Sequence, residues 1–228
     1  ERRPHLITFY FPEVDHNGHT YGPDAPETEQ AVRWLDSNVQ KLVDEVRSTG
    51  LPVNFIFVSD HGMTNVDTDD PVSMPAAVDT SRFIIPSGAE LVELYAKNKE
   101  DISDTYVKLL QEKKGYQVYL RENMPAKLHY GIEDDMMDRI GDIILIPDWP
   151  KVFNFSSRKT NPGSHGYDPY LVKDMHATFY AWGPAFKNNL LIPSFQNVNV
   201  FPIVTTILGL HDSEKIDGTP GIAKEILK

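Results

Sequence analysis

The chain has 228 residues, 40% of them hydrophobic and 24% charged, a balance ordinary for a globular protein and long enough to bury a full core. No apolar run approaches the roughly 18 residues that span a bilayer. A formal net charge of −11 argues against a protein that grips nucleic-acid backbone, which needs clustered Lys and Arg. Cysteine is absent, which excludes disulfides and removes that clue to compartment. Part of the negative charge can be carboxylates that bind metal, so an acidic chain remains compatible with an anionic substrate.

In chain order, Glu1-Arg-Arg-Pro opens the sequence with no initiator Met and no signal peptide. Trimming, processing or an origin as the later part of a longer protein would each account for it. Residues 6–11 read as an apolar strand that ends just before Asp15-His-Asn-Gly-His19. Loop residues follow, and Pro26 suits the first turn of a helix. Val32, Leu35, Val39, Leu42, Val43 and Val46 then recur at helical spacing until Gly50 stops the run. Residues 53–58 read as a second strand, leading into Ser59-Asp60-His61-Gly62-Met63. Strand, helix and strand make a βαβ unit, which implies a parallel pair with a right-handed crossover.

Residues 66–138 are less regular. Residues 81–85 and 116–120 resemble strands and residues 101–113 a helix, as in a small αβ insertion folded beside the sheet. Further strands are expected at 140–146 and 177–181, separated by a Ser/Asn/Pro/Gly-rich loop that holds His165. The apolar stretch 200–210 reads as a packing helix. The expected architecture is a single α/β domain over residues 1–228, with a mostly parallel central sheet flanked by helices.

Both clusters stand where a strand gives way to a loop, the end of an open α/β sheet at which ligands bind. Carboxylate oxygen with imidazole nitrogen suits Zn²⁺ and related divalent ions. Asp15 and His19, four residues apart, converge on one ion if they share a helical turn or a loop of similar compactness. A third ligand is then needed. His165, flanked by glycines in Gly163-Ser-His165-Gly166, is preferred over His176, because those glycines let the backbone bring the imidazole close. Asp60 and His61 are sequence neighbours, and both serve one site only if the strand has already turned there. His16 is expected to point away or to act behind the ligands, and His5, His129 and His211 read as ordinary surface or packing residues.

With those residues set out, the chain resembles the nucleotide pyrophosphatase/phosphodiesterase family of the alkaline phosphatase superfamily. The match is carried by Glu13-Val-Asp15-His-Asn-Gly-His19 with Gly22-Pro23, by Ser59 to Met63, by Gly163-Ser-His165-Gly-Tyr-Asp168, and by Met175-His-Ala-Thr-Phe-Tyr-Ala-Trp-Gly183-Pro184-Ala-Phe186. The resemblance implies two zinc ions on an α/β sheet, with Asp15, His19 and His165 holding one and Asp60 and His61 contributing to the other. It also implies hydrolysis of phosphodiester or pyrophosphate bonds in nucleotides through a covalent intermediate on a threonine. Two divalent ions about 4 Å apart would activate the attacking oxygen and stabilise the leaving one.

The family's metal-binding Asp and nucleophilic Thr have no counterpart in this sequence. Thr8, Thr20 and Thr64 stand in the wrong context. The expectation is therefore that no catalytic residue proper lies in these 228 residues, that the nucleophile lies upstream, and that the chain alone binds at least one zinc but hydrolyses diesters poorly. Self-association, or a complementing N-terminal fragment, would cover the missing sheet edge. The resemblance implies an extracytoplasmic location. Alternative readings are a phosphomonoesterase, a choline or lipid-headgroup phosphodiesterase, and a non-catalytic metal-binding fragment.

Overall fold

A computed structural model describes residues 3–156, 158–211 and 214–228, so Glu1 and Arg2 lie outside the described residues. The chain falls into two compact units: one comprises Glu1–Pro12, Val32–Gly62 and His176–Lys228, the other Glu13–Ala31 and Met63–Met175. Helices α1 (Glu13–Tyr21) and α2 (Pro26–Ser48) come first in the chain, with α2 running from the second unit into the first. No helix of the described residues is long and apolar enough to cross a membrane.

In the first unit, β1 (Phe55–Val58) pairs antiparallel with β8 (Phe179–Trp182), in the register Phe55↔Trp182 and Ile56↔Ala181. Phe55 and Trp182 stack with ring centroids 5.2 Å apart. On the opposite face Ile56, Phe179 and Ala181 pack against buried Phe186, Ile203, Ala223 and Ile226. Ile203 comes from α4 (Val200–Leu208), and Ala223 and Ile226 from α5 (Gly221–Ile226). Burying an aliphatic side chain of this size contributes about 1.5–3 kcal/mol. The apolar stretch at 200–210 is thus the packing helix its composition predicts.

The expected first strand is different. Residues 6–11 form no ladder, and Leu6, Ile7, Phe9 and Tyr10 are all exposed. Alternating apolar residues favour an extended chain, but a strand exists only where a neighbouring backbone accepts its hydrogen bonds. Without that partner the predicted parallel pair with residues 53–58 does not form. All strand pairs among the described residues are antiparallel, and the one parallel contact is the isolated bridge Val72↔Phe153. The α/β class stands, with ladder directions other than the periodicity implied.

The second unit is built on a four-stranded sheet of order β3-β4-β6-β5, from β3 (Phe83–Ile84), β4 (Val92–Ala96), β5 (Tyr116–Leu120) and β6 (Ile143–Pro147). Val92, Leu94, Val118, Ile143 and Leu145 point to one face and are buried. Cross-strand pairing of Val92 with Leu145 and of Val118 with Leu145 makes that face continuous. Helix α3 (Glu100–Glu112) covers it with Ile102, Tyr106 and Leu109, one stripe at helical spacing. A separate two-stranded ladder joins β2 (Thr64–Asn65) to β7 (Gly163–Ser164), pairing Thr64 with Ser164 and Asn65 with Gly163.

Candidate metal centre

Asp15 and His19 stand on α1, where helix formation follows from local chemistry. Glu13 and Asp15 place negative charge in the first turn, where the helix dipole favours it. The Asn17 amide donates to the Glu13 carbonyl at 2.7 Å, and Gly22-Pro23 ends the helix. Beyond it, the buried Thr28 hydroxyl donates to the Gly22 carbonyl at 2.7 Å and fixes the turn into α2. With α1 formed, positions i and i+4 share a face. The His19 Nε2 atom lies 3.6 Å from Asp15 Oδ1.

His165 reaches the same point from β7. The β2–β7 ladder, extended by the Val66 N–H to Pro162 carbonyl bond of 2.9 Å, carries Gly163 against α1. Gly163 packs so closely on the Gly18 carbonyl that a Cβ would overlap it. This close approach is what the glycine provides. In the same place the His19 Nδ1–H donates to the Gly163 carbonyl at 2.9 Å. A carbonyl only accepts, so Nδ1 carries a proton, and Nε2 is the ring nitrogen on the Asp15 side. His165 Nε2 lies 3.7 Å from Asp15 Oδ1, and the two imidazole rings are 5.0 Å apart.

These distances decide the chemistry. Hydrogen bonds between nitrogen and oxygen run to about 3.2 Å. Ligand atoms around one tetrahedral zinc, each about 2.0–2.2 Å from it, lie about 3.3–3.6 Å apart. The separations of 3.6 and 3.7 Å exceed the first and lie close to the second. The Asp15 side chain retains 36% exposure, yet its Oδ1 atom is buried and has no hydrogen-bond partner among the described residues. An ionised carboxylate oxygen in that condition is costly unless a cation completes it. Asp15 Oδ1 thus stands between two imidazole nitrogens, each at a separation suited to sharing a divalent cation.

The second cluster lies in the other unit. Asp60 and His61 follow the end of β1, and the chain has turned as the Asp-His-Gly sequence requires. The His61 Nδ1–H donates to the Gly62 carbonyl at 2.9 Å, and Nε2, the nitrogen that could ligate, lies 3.6 Å from Asp60 Oδ1. The Asp60 side chain is 72% exposed. Two contacts from distant sequence hold this loop: Thr178 N–H donates to Ser59 Oγ at 2.8 Å, and the Asn197 amide donates to the Ser59 and Asp60 carbonyls at 3.3 and 3.2 Å. Asn197 carried no sequence signal, since its role comes from the chain returning beside β1.

His176 lies in the first unit, on the segment leading into β8, whereas Asp15, His19 and His165 share the second. His16 is exposed, and its carbonyl accepts from the Thr20 hydroxyl at 2.8 Å. His129 faces Asp134 at 3.8 Å. Thr64 is 1% exposed; its hydroxyl donates to Asp174 Oδ2 at 2.9 Å and accepts from Trp149 Nε1 at 3.2 Å. A hydroxyl buried and engaged on both sides is a structural group.

Sequence comparison decides the family. The model described as type I phosphodiesterase / nucleotide pyrophosphatase matches residues 1–168, a span that includes both clusters. The chain belongs to this family. Its similar curated proteins include bovine bis(5'-adenosyl)-triphosphatase ENPP4, 34% identical over 97% of this chain and 48% of that protein. Mouse ectonucleotide pyrophosphatase/phosphodiesterase family member 1 is 30% identical over 99% of this chain and 26% of that protein. The chain thus spans about half, or less, of the length of these relatives. Human ectonucleotide pyrophosphatase/phosphodiesterase 5 superposes with a TM-score of 0.83 at 24% identity, over 94% of this chain and 56% of that one. The fold of this phosphodiesterase-family chain is accordingly alkaline-phosphatase-like.

Proposed function

We propose that these residues belong to a zinc-dependent hydrolase of phosphodiester or pyrophosphate bonds in nucleotides, acting outside the cytoplasm, with residues 1–228 part of one catalytic domain and 66–138 an insertion in it. The observation that carries the reading is the buried, unpartnered Asp15 Oδ1 with imidazole nitrogens at 3.6 and 3.7 Å. Asp15, His19 and His165 would hold one ion, and Asp60 and His61 would supply two ligands of another. A bound zinc supplies Lewis-acid stabilisation to phosphate oxygens and lowers the pKa of a coordinated hydroxyl.

The chain's own groups prepare that chemistry. The Gly163 and Gly62 carbonyls fix the tautomers of His19 and His61, and so direct each Nε2 lone pair. Asp15 contributes negative charge that offsets part of the cation's. The nucleophile would be a threonine outside these residues. Its oxygen would form a bond to phosphorus as the bond to the leaving oxygen breaks, and water would then cleave the phospho-threonine ester. The hydroxyl of Thr64, held by Asp174 and Trp149, is not a candidate for that role. A nucleotide substrate agrees with the family description, and the name of the bovine relative specifies a bis(5'-adenosyl) triphosphate.

Bis-p-nitrophenyl phosphate turnover, measured beside zinc content, tests the reading. The purified chain is expected to bind zinc and to turn the diester over far more slowly than a complete family enzyme. Turnover at the complete enzyme's rate would overturn the placing of the nucleophile outside the chain, and absence of bound zinc would overturn the metal centre.

A further inference from the structure

We propose that Glu90 is a positioning residue for His165, holding the loop that carries this ligand through the residues on either side of it. The inference rests on the reading of Asp15, His19 and His165 as a metal centre. The Ser164 hydroxyl, on a residue 8% exposed, donates to Glu90 Oε1. On the other side of His165, Gly166 adopts φ +113°, a conformation that favours glycine, and sits against the Glu90 side chain. A methyl group there would lie 3.2 Å from Glu90 Cβ and 3.7 Å from Cγ. Glu90 is also close enough to Tyr167 that its charge adds to burial in pushing that phenol's pKa up. One side chain therefore acts on residues 164, 166 and 167.

Glu90 is itself well held. The preceding Ala89 carbonyl accepts the Phe153 N–H at 2.8 Å, and Val92, two residues on, is fully buried in β4. A hydrogen bond to an ionised carboxylate is among the stronger kinds. With Ser164 tied to Glu90, the next residue, His165, stands with its Nε2 3.7 Å from Asp15 Oδ1. The backbone on one side of Ser164 is fixed independently by β2, so the Glu90 contact governs the side-chain direction and the turn that follows.

The test uses the purified chain and its Glu90→Ala, Glu90→Gln and Ser164→Ala variants. Zinc dissociation constants come from competition with a chromogenic chelator, and amide hydrogen exchange over residues 163–167 is measured in metal-free protein. Glu90→Ala and Ser164→Ala are each expected to weaken zinc about tenfold, at the lower end of the effect of groups behind metal ligands. The double variant should be no weaker than either single, because both remove one contact. Glu90→Gln keeps an oxygen acceptor for Ser164 and should recover most of the affinity. Exchange at 163–167 should quicken in Glu90→Ala while exchange in α4 does not change.

Parental zinc affinity in Glu90→Ala and Ser164→Ala, or additive losses in the double variant, would overturn the proposal. If the parent chain binds no zinc, the metal-centre reading fails by itself and exchange decides the positioning: faster exchange at 163–167 supports it, and unchanged exchange refutes it. Should Glu90→Ala not fold, Ser164→Ala removes a single oxygen and carries the same comparison.

Discussion

The first cluster draws its three residues from two segments far apart in sequence, a helix and the end of a short β-ladder, and packs them at a joint where Gly163 rests on the Gly18 carbonyl. The second takes two neighbours from one loop, and Asp60 keeps 72% of its side-chain exposure. In both, a backbone carbonyl fixes a histidine tautomer. Only the first has a buried carboxylate oxygen with no hydrogen-bond partner among the described residues. The contrast teaches that donors adjacent in sequence gain a distant partner and a buried oxygen only where tertiary packing brings a second segment against them.

The largest expected effect sharpens that contrast. Asp15→Ala should weaken zinc binding by the purified chain on the order of 100-fold, beyond the tenfold scale of supporting residues, whereas Asp60→Ala should change it by no more than about twofold. Isothermal titration with zinc at fixed pH measures both, and equal losses would erase the distinction between the clusters. A smaller effect tests the joint. In Gly163→Ala the new methyl meets the Gly18 carbonyl, so β7 must move away from α1. A loss of about 1–3 kcal/mol in urea unfolding of the metal-free chain is expected, together with weaker zinc binding. Parental stability and affinity would show that the close approach does not position His165.

Much of this arrangement was legible in the sequence, for stated physical reasons. The stripe Val32 to Val46 and the apolar run from Val200 mark helices because the 3.6-residue period persists over several turns. Asp15 with His19, and Asp60 with His61, stand out because the donors are close in sequence. Glycine on both sides singled out His165, whose Nε2 lies 3.7 Å from Asp15 Oδ1. Strand pairing was not legible. Residues 6–11 have the composition of a strand but no ladder, and β1 pairs antiparallel with β8, a segment more than a hundred positions on. Nor could Glu90, Asn197 or the Gly163 carbonyl be found by pattern, because each acts through a contact that exists only once distant segments meet.

The central claim is that Asp15, His19 and His165 form a zinc centre. The most direct measurement is an anomalous-difference map at the zinc edge from crystals of the chain grown with zinc. The account predicts a strong peak about 2.0–2.2 Å from Asp15 Oδ1, His19 Nε2 and His165 Nε2 together. A map with no peak there, or with zinc bound only by other residues, would contradict it.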